Sequence, residues 1–149
     1  MEKDLRAQDI TGYFETGEQD LRTYSPLGLA FVGDAVYSLI VRTITIEQGN
    51  TRVEKLHSRV SDYARATYQS ALAGVIAELL DEEEKDVYKR GRNARSHAAP
   101  KSASTGDYHR STGLEALIGY LYLAGKEERI MELMKAGMQA LKEKEDGIQ

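Results

Sequence analysis

The chain has no cysteine and only two prolines among its 149 residues. Without cysteine there is no disulfide framework and no thiolate metal site, which fits a reducing compartment. Both prolines sit where a turn is expected: Pro26 ahead of an apolar run, Pro100 inside "SHAAPKSASTG". Period-two alternation is missing, and so is any internal repeat. No glycine-rich phosphate loop follows a strand and no Gly-x-Ser-x-Gly occurs, so serine or cysteine nucleophile chemistry is not expected. The three histidines, His57, His97 and His109, lack the spacing of a zinc motif and are read as non-ligands. The acidic start, "MEKDLRAQDITGYFETGEQD", has neither the basic head nor the apolar middle of an export signal. The one long apolar run is broken by Asp34 and Arg42 and reads as short of the ~20 residues a bilayer span needs. A soluble, cytoplasmic protein with no membrane attachment is therefore expected.

What remains is helix, in an amount suited to one domain. The expected fold class is all-α, with an acidic segment over residues 1–24 that is expected to be flexible and a helical domain over 25–149. Ser25 is a candidate N-cap with Pro26 at the first helical position and Gly49 a candidate stop, which predicts a helix from Leu27 to Gln48. This run is apolar on every face, as in a helix surrounded by others. Apolar residues at spacings of three and four from Val53 to Leu79 predict one long amphipathic helix or two in tandem. "DEEEKDVYKRGRNAR" opens with acids and closes with bases, in the order the helix dipole favours, predicting a helix that ends near Gly91 to Arg95. Residues 96–109 read as a long polar loop. A further helix follows, with Ser111 or Thr112 as its cap and Gly125 as its stop, and a last amphipathic helix carries Ile130, Leu133, Met134, Met138 and Leu141 inward.

Two acids stand in the wrong company. Asp34 interrupts "LGLAFVGDAVYSLIVRTI" and Glu115 interrupts "GLEALIGYLYL". An ionised carboxylate among apolar neighbours must be paired, protonated, open to a cleft or bound to a cation. A structural ion pair is one reading. The other is a site for a hard cation such as Mg²⁺, which takes oxygen ligands from separate elements and leaves positions for water and substrate. Gly33, Gly113 and Gly119, beside these acids, would allow close helix approach.

Net charge is −4, but its distribution is uneven: from Lys89 to Arg110 six Lys and Arg oppose the single Asp107, leaving −9 for the rest. "YKRGRNARS" combines Lys89, Arg90, Arg92 and Arg95 with Asn93 and Ser96, donors suited to phosphate and ribose, and Lys101 follows in the loop. Bases ending a helix also complement its dipole, so this run alone is compatible with a purely structural role. Carboxylates for a cation beside a basic edge for a polyanion are the outline of a metal-dependent nuclease.

"LAFVGDAVY" resembles the signature of the ribonuclease III family, and "LEALIGYLYL" resembles its second block. "KRGRNARS", the long loop before the second block and the expected lack of a double-stranded-RNA-binding domain beyond residue 149 resemble the Mini-III branch. The resemblance runs from Leu27 to Leu141 and implies a ribonuclease III-type catalytic domain. It implies that Asp34 and Glu115 are catalytic and hold Mg²⁺, with Mn²⁺ as a possible substitute. The family at large has further acids at the positions of Ala30 and Thr112, which this sequence lacks, as the Mini-III branch does. The implied reaction is endonucleolytic hydrolysis of double-stranded RNA leaving 5′-phosphate ends. The implied substrate is precursor 23S ribosomal RNA, sometimes with help from a ribosomal protein. Family members are homodimers that meet through the signature helix, for which Phe31 and Leu27 are the interface candidates. Two other functions compete with this one: a non-catalytic dimer that binds structured RNA during ribosome assembly, and a helical protein-interaction module.

Overall fold

The computed structural model describes residues 4–17, 19–94 and 104–147. Seven α-helices carry the described chain: α1 (Ala7–Phe14), α2 (Pro26–Glu47), α3 (Val53–Ala64), α4 (Ala66–Ile76), α5 (Glu82–Asn93), α6 (Thr105–Leu123) and α7 (Glu127–Asp146). Short 3₁₀ turns lie at Leu21–Thr23 and Ala77–Leu79. The described residues contain no strand.

Local chemistry sets most of the boundaries. The Ser25 hydroxyl accepts the Gly28 N–H at the start of α2, with Pro26 at the first helical position, and Gly49 leaves the helix at φ 149°. The Val53 to Leu79 periodicity resolves into two helices, because Arg65 adopts an extended conformation (φ −65°, ψ 144°) between α3 and α4. Asp81 and Glu84 form a reciprocal capping box at the head of α5. Gly125 closes α6 in the left-handed region at φ 76°.

α6 starts earlier than the sequence predicts. Its cap is Ser104, whose hydroxyl accepts the Asp107 N–H at 3.1 Å, so residues 105–109 belong to the helix and not to the loop. The ion pair between Arg110 and Asp107, 3.1 Å, supports this added turn. Ser111 and Thr112 are not caps; they lie buried inside the helix, where the Thr112 hydroxyl donates to the Tyr108 carbonyl.

The centre of the fold is α6, not α2. Nine residues of α6, those from Ser111 to Leu121 other than Glu115 and Tyr120, are buried, and α2, α4, α5 and α7 pack around it. Leu114, Leu117 and Leu121 join Tyr37, Val41, Leu72, Ile76, Ile130 and Leu133 in the main core. The all-round apolarity of α2 divides into two faces. Leu29, Ala30, Gly33, Tyr37 and Val41 are buried, whereas Leu27, Phe31, Leu39 and Ile46 are exposed, Phe31 to 81%. By length and composition this 22-residue helix could cross a membrane, so the expectation that the run is too short does not hold. Its buried face is instead committed to the helical core, and its other face carries Asp34 and Arg42.

Glycines bring α2 and α6 together. A Cβ on Gly33 would lie 1.7 Å from the Glu115 carbonyl oxygen, and one on Gly119 would lie 1.9 Å from that of Leu29. Neither helix can carry a side chain at the crossing. Gly91 and Gly113 do the same for α5 and α6: a Cβ on Gly91 would meet Ala116 Cβ at 2.6 Å. The N-terminal segment adds α1, tied to the end of α6 where Tyr122 donates to the Leu5 carbonyl and Gln8 to that of Leu123.

Candidate active site

The crossing of α2 and α6 determines where the two acids go. Asp34 follows the Gly33 that touches the Glu115 backbone, so the two side chains leave their helices at the same point. Their carboxyl groups are close enough to share a hydrogen bond when one is protonated. Asp34 is exposed, whereas Glu115 is largely covered, and burial followed by the charge of Asp34 pushes the Glu115 carboxyl up to about 8. Among the described residues no Lys, Arg or His forms an ion pair with either acid.

A third helix completes the surround. Gln69 of α4, 3% exposed, donates from Nε2 to Glu115 Oε2 at 3.4 Å and accepts the Ser111 hydroxyl on Oε1 at 2.6 Å. Beside Asp34 opens a groove of about 220 Å³ lined by Ser38 and Arg42 of α2, His57 and Ser61 of α3, and Gln69. Behind it the Tyr37 hydroxyl donates to the Tyr63 carbonyl at 2.6 Å and fixes α2 against the end of α3.

Sequence reading missed Gln69, Ser111, Arg42 and His57 as site neighbours. A signal existed for Gln69, which falls on the same helical stripe as Leu72, Ala73 and Ile76, a polar residue on a buried face. Ser111 was masked by its resemblance to a cap.

The donor set fits a hard divalent cation. It offers carboxylate oxygen, no sulfur, and a charge conflict that a cation would resolve. Among the described residues no group of three or more His, Asp or Glu converges, so water and substrate would fill the remaining positions. Ala30 and Thr112, where further acids would stand, are both buried, at 7% and 8% exposure.

Lys89, Arg90, Arg92 and Asn93 occupy the last turn of α5. Lys89, Arg90 and Asn93 are exposed, and the Arg92 guanidinium lies 5.8 Å from the Tyr88 ring centre. Gly91 packs beside Gly113 and Ala116, the residues that bracket Glu115, so this basic end and the carboxylate pair stand at the same level of α6. Arg95, Ser96 and Lys101, the other expected RNA contacts, lie outside the described residues.

Comparison with known proteins decides the family. Residues 27–126 match the model of the ribonuclease III domain. The chain is 49% identical over 114 residues to the Mini-ribonuclease 3 of Symbiobacterium thermophilum, covering 76% of this chain and 88% of that relative. The chain belongs to the Mini-ribonuclease 3 branch of the ribonuclease III family. The Mini-ribonuclease 3 of a Thermoanaerobacter species is 41% identical over 140 residues, covering 91% of this chain and 99% of that one. The fold agrees as well: the crystal structure of a protein from Fusobacterium nucleatum superimposes with a TM-score of 0.74 at 36% identity, covering 83% of this chain and 98% of that one. The match to the ribonuclease III domain spans both acids of the site, Asp34 and Glu115.

Proposed function

We propose that this chain is a Mg²⁺-dependent endoribonuclease that hydrolyses phosphodiester bonds of double-stranded RNA and matures the paired ends of precursor 23S ribosomal RNA in the cytoplasm. The observation that carries this reading is the convergence of Asp34 and Glu115 from two helices on one point beside an open groove. Asp34 and Glu115 would hold the ion. When bound, Mg²⁺, or Mn²⁺ in its place, supplies an activated water and offsets charge on the phosphate. The half-buried Glu115 and the exposed Asp34 give that ion one ligand on the protein side and one on the solvent side. The groove alongside has room for a phosphate, with the Arg42 side chain on its wall to attract one.

Grip on the duplex is assigned to Lys89, Arg90, Arg92 and Asn93, with Arg95, Ser96 and Lys101 continuing the basic run. A-form RNA presents phosphates and 2′-hydroxyls across a shallow groove, so recognition is mainly of shape. The exposed apolar side of α2, with Leu27, Phe31 and Leu39 at spacings of four and eight, supports dimerisation through this helix. A two-fold dimer would present two carboxylate pairs to opposite strands of one duplex. A ribosomal protein bound to the precursor could assist.

The absence of acids at Ala30 and Thr112 favours one competing reading, a non-catalytic dimer that binds structured RNA. Incubation of a precursor 23S transcript with protein and Mg²⁺, followed by end mapping, separates the two. Discrete cuts within the paired ends, leaving 5′-phosphate and 3′-hydroxyl termini, are expected. Retarded but intact RNA would support the binding-only dimer.

A further inference from the structure

We propose that Gln69 is the positioning residue for Glu115, acting through a hydrogen-bonded chain from Ser111 to Gln69 to Glu115. The proposal rests on the reading of Asp34 and Glu115 as a cation site and deepens it.

Gln69 is out of place as a packing residue. It is 3% exposed and lies on the buried stripe of α4 with Leu72, Ala73 and Ile76, where a leucine would contribute more to the core. Both ends of its amide are used instead. Oε1 accepts from the Ser111 hydroxyl at 2.6 Å, which leaves Nε2 to donate to Glu115 Oε2. The ionised, cation-holding form of Glu115 fixes the amide orientation, because it only accepts and so takes the N–H₂ end, leaving Oε1 to accept from the Ser111 hydroxyl. In the opposite orientation an amide oxygen would face an ionised acid.

The scaffold holds Gln69 as firmly as it holds the acid. Its backbone N–H bonds the Arg65 carbonyl at 3.0 Å, at the break that separates α4 from α3. One residue on, Ser70 accepts from Arg110 Nε at 2.6 Å, a second polar clamp between α4 and the start of α6. Two adjacent residues of α4 thus lock onto two adjacent residues of α6, and Glu115 lies one helical turn beyond Ser111. The donated hydrogen bond engages one oxygen of Glu115 and leaves its other oxygen to point with Asp34 at a shared ion. With only two acids in the site, the direction of each carboxylate matters more than it would among four.

The test compares Gln69→Met, which keeps length and loses both bonds, with Gln69→Glu, which can still accept from Ser111 but cannot donate to Glu115, and with Ser111→Ala. Binding of Mn²⁺ alone is followed by the electron paramagnetic resonance of the free ion, next to thermal melts and to kcat and KM on a perfect RNA duplex. Gln69→Met is expected to weaken Mn²⁺ binding about tenfold and to lower kcat by a similar factor, with KM for the duplex unchanged. Gln69→Glu should fare no better, and Ser111→Ala added to Gln69→Met should change little, since both act through one chain. Wild-type Mn²⁺ affinity in Gln69→Met, or in Ser111→Ala should the methionine variant not fold, overturns the proposal. So does a wild-type protein that binds no Mn²⁺. If wild type binds Mn²⁺ but cuts no duplex, the nuclease reading fails while the Mn²⁺ titration still decides the role of Gln69.

Discussion

Replacing Gly33 by alanine should be among the most damaging single-methyl additions in this protein. The new Cβ would stand 1.7 Å from the Glu115 carbonyl oxygen, 2.6 Å from its carbonyl carbon and 2.8 Å from the Gly119 nitrogen. All three are backbone atoms of α6, so no side chain can swing aside. Since real Cβ contacts essentially never fall below 3.0 Å, the helices must part by about 1.3 Å at the crossing. That opens the buried contact between Leu29, Gly33 and Tyr37 on one side and Glu115 to Gly119 on the other. Overpacking of this kind costs about 3 kcal/mol or more. Gly74 is the matched control. It lies on an exposed face of α4 with nothing within 4 Å of a new Cβ, so Gly74→Ala should stabilise by roughly 0.5–1 kcal/mol. Urea denaturation of the two variants reads both effects, and Gly33→Ala should also lose cleavage as Asp34 and Glu115 separate. A Gly33→Ala protein with the wild-type denaturation midpoint would refute the account of the crossing.

Further outcomes follow from the electrostatics and the basic end. Because folding raises the Glu115 carboxyl to about 8, its contribution to stability is fully present below the ordinary glutamate range and is lost as pH rises through about 8 in metal-free protein. Glu115→Gln should therefore stabilise metal-free protein at pH 9 by on the order of 2–4 kcal/mol, and Mg²⁺ should restore wild-type stability there; urea midpoints from pH 5 to 9 that run parallel for the two proteins would contradict this. Arg129 makes bonds of 2.8 and 2.9 Å to the buried Glu84 and holds its carboxyl below the usual range. Arg129→Met should cost about 3 kcal/mol in chemical denaturation by leaving that charge uncompensated, with little effect on RNA affinity. Arg92→Ala combined with Arg95→Ala should weaken duplex binding and flatten its salt dependence while leaving Mn²⁺ binding intact, and an unchanged salt slope would remove these residues from the RNA surface.

The sequence made some of this architecture plain and hid the rest for identifiable reasons. Ser25, Pro26 and Gly49 marked α2 to within a residue, because capping is local chemistry. The acids stood out because each broke an apolar run, and the flanking glycines did turn out to be contact points. The start of α6 was misplaced because Ser104 and Ser111 are equally good caps on paper, and only the buried amide of Gln69 gives Ser111 a different task. The central position went to the wrong helix for a related reason. α2 is the more apolar of the two, but hydropathy does not tell a face buried within the chain from one left open on its surface. Phe31 is the example, apolar in sequence and 81% exposed in the fold. Gln69 could not be linked to Glu115 without knowing that α3 and α4 break at Arg65.

The most direct test of the central claim is cleavage of a long, perfect RNA duplex by wild type, Asp34→Asn and Glu115→Gln, each with Mg²⁺ and with EDTA. Cutting by wild type in Mg²⁺, abolished by EDTA and by each substitution, is the predicted result. Duplex binding without cutting in every condition, or full-rate cutting by either variant, would contradict the assignment of Asp34 and Glu115 as the catalytic pair.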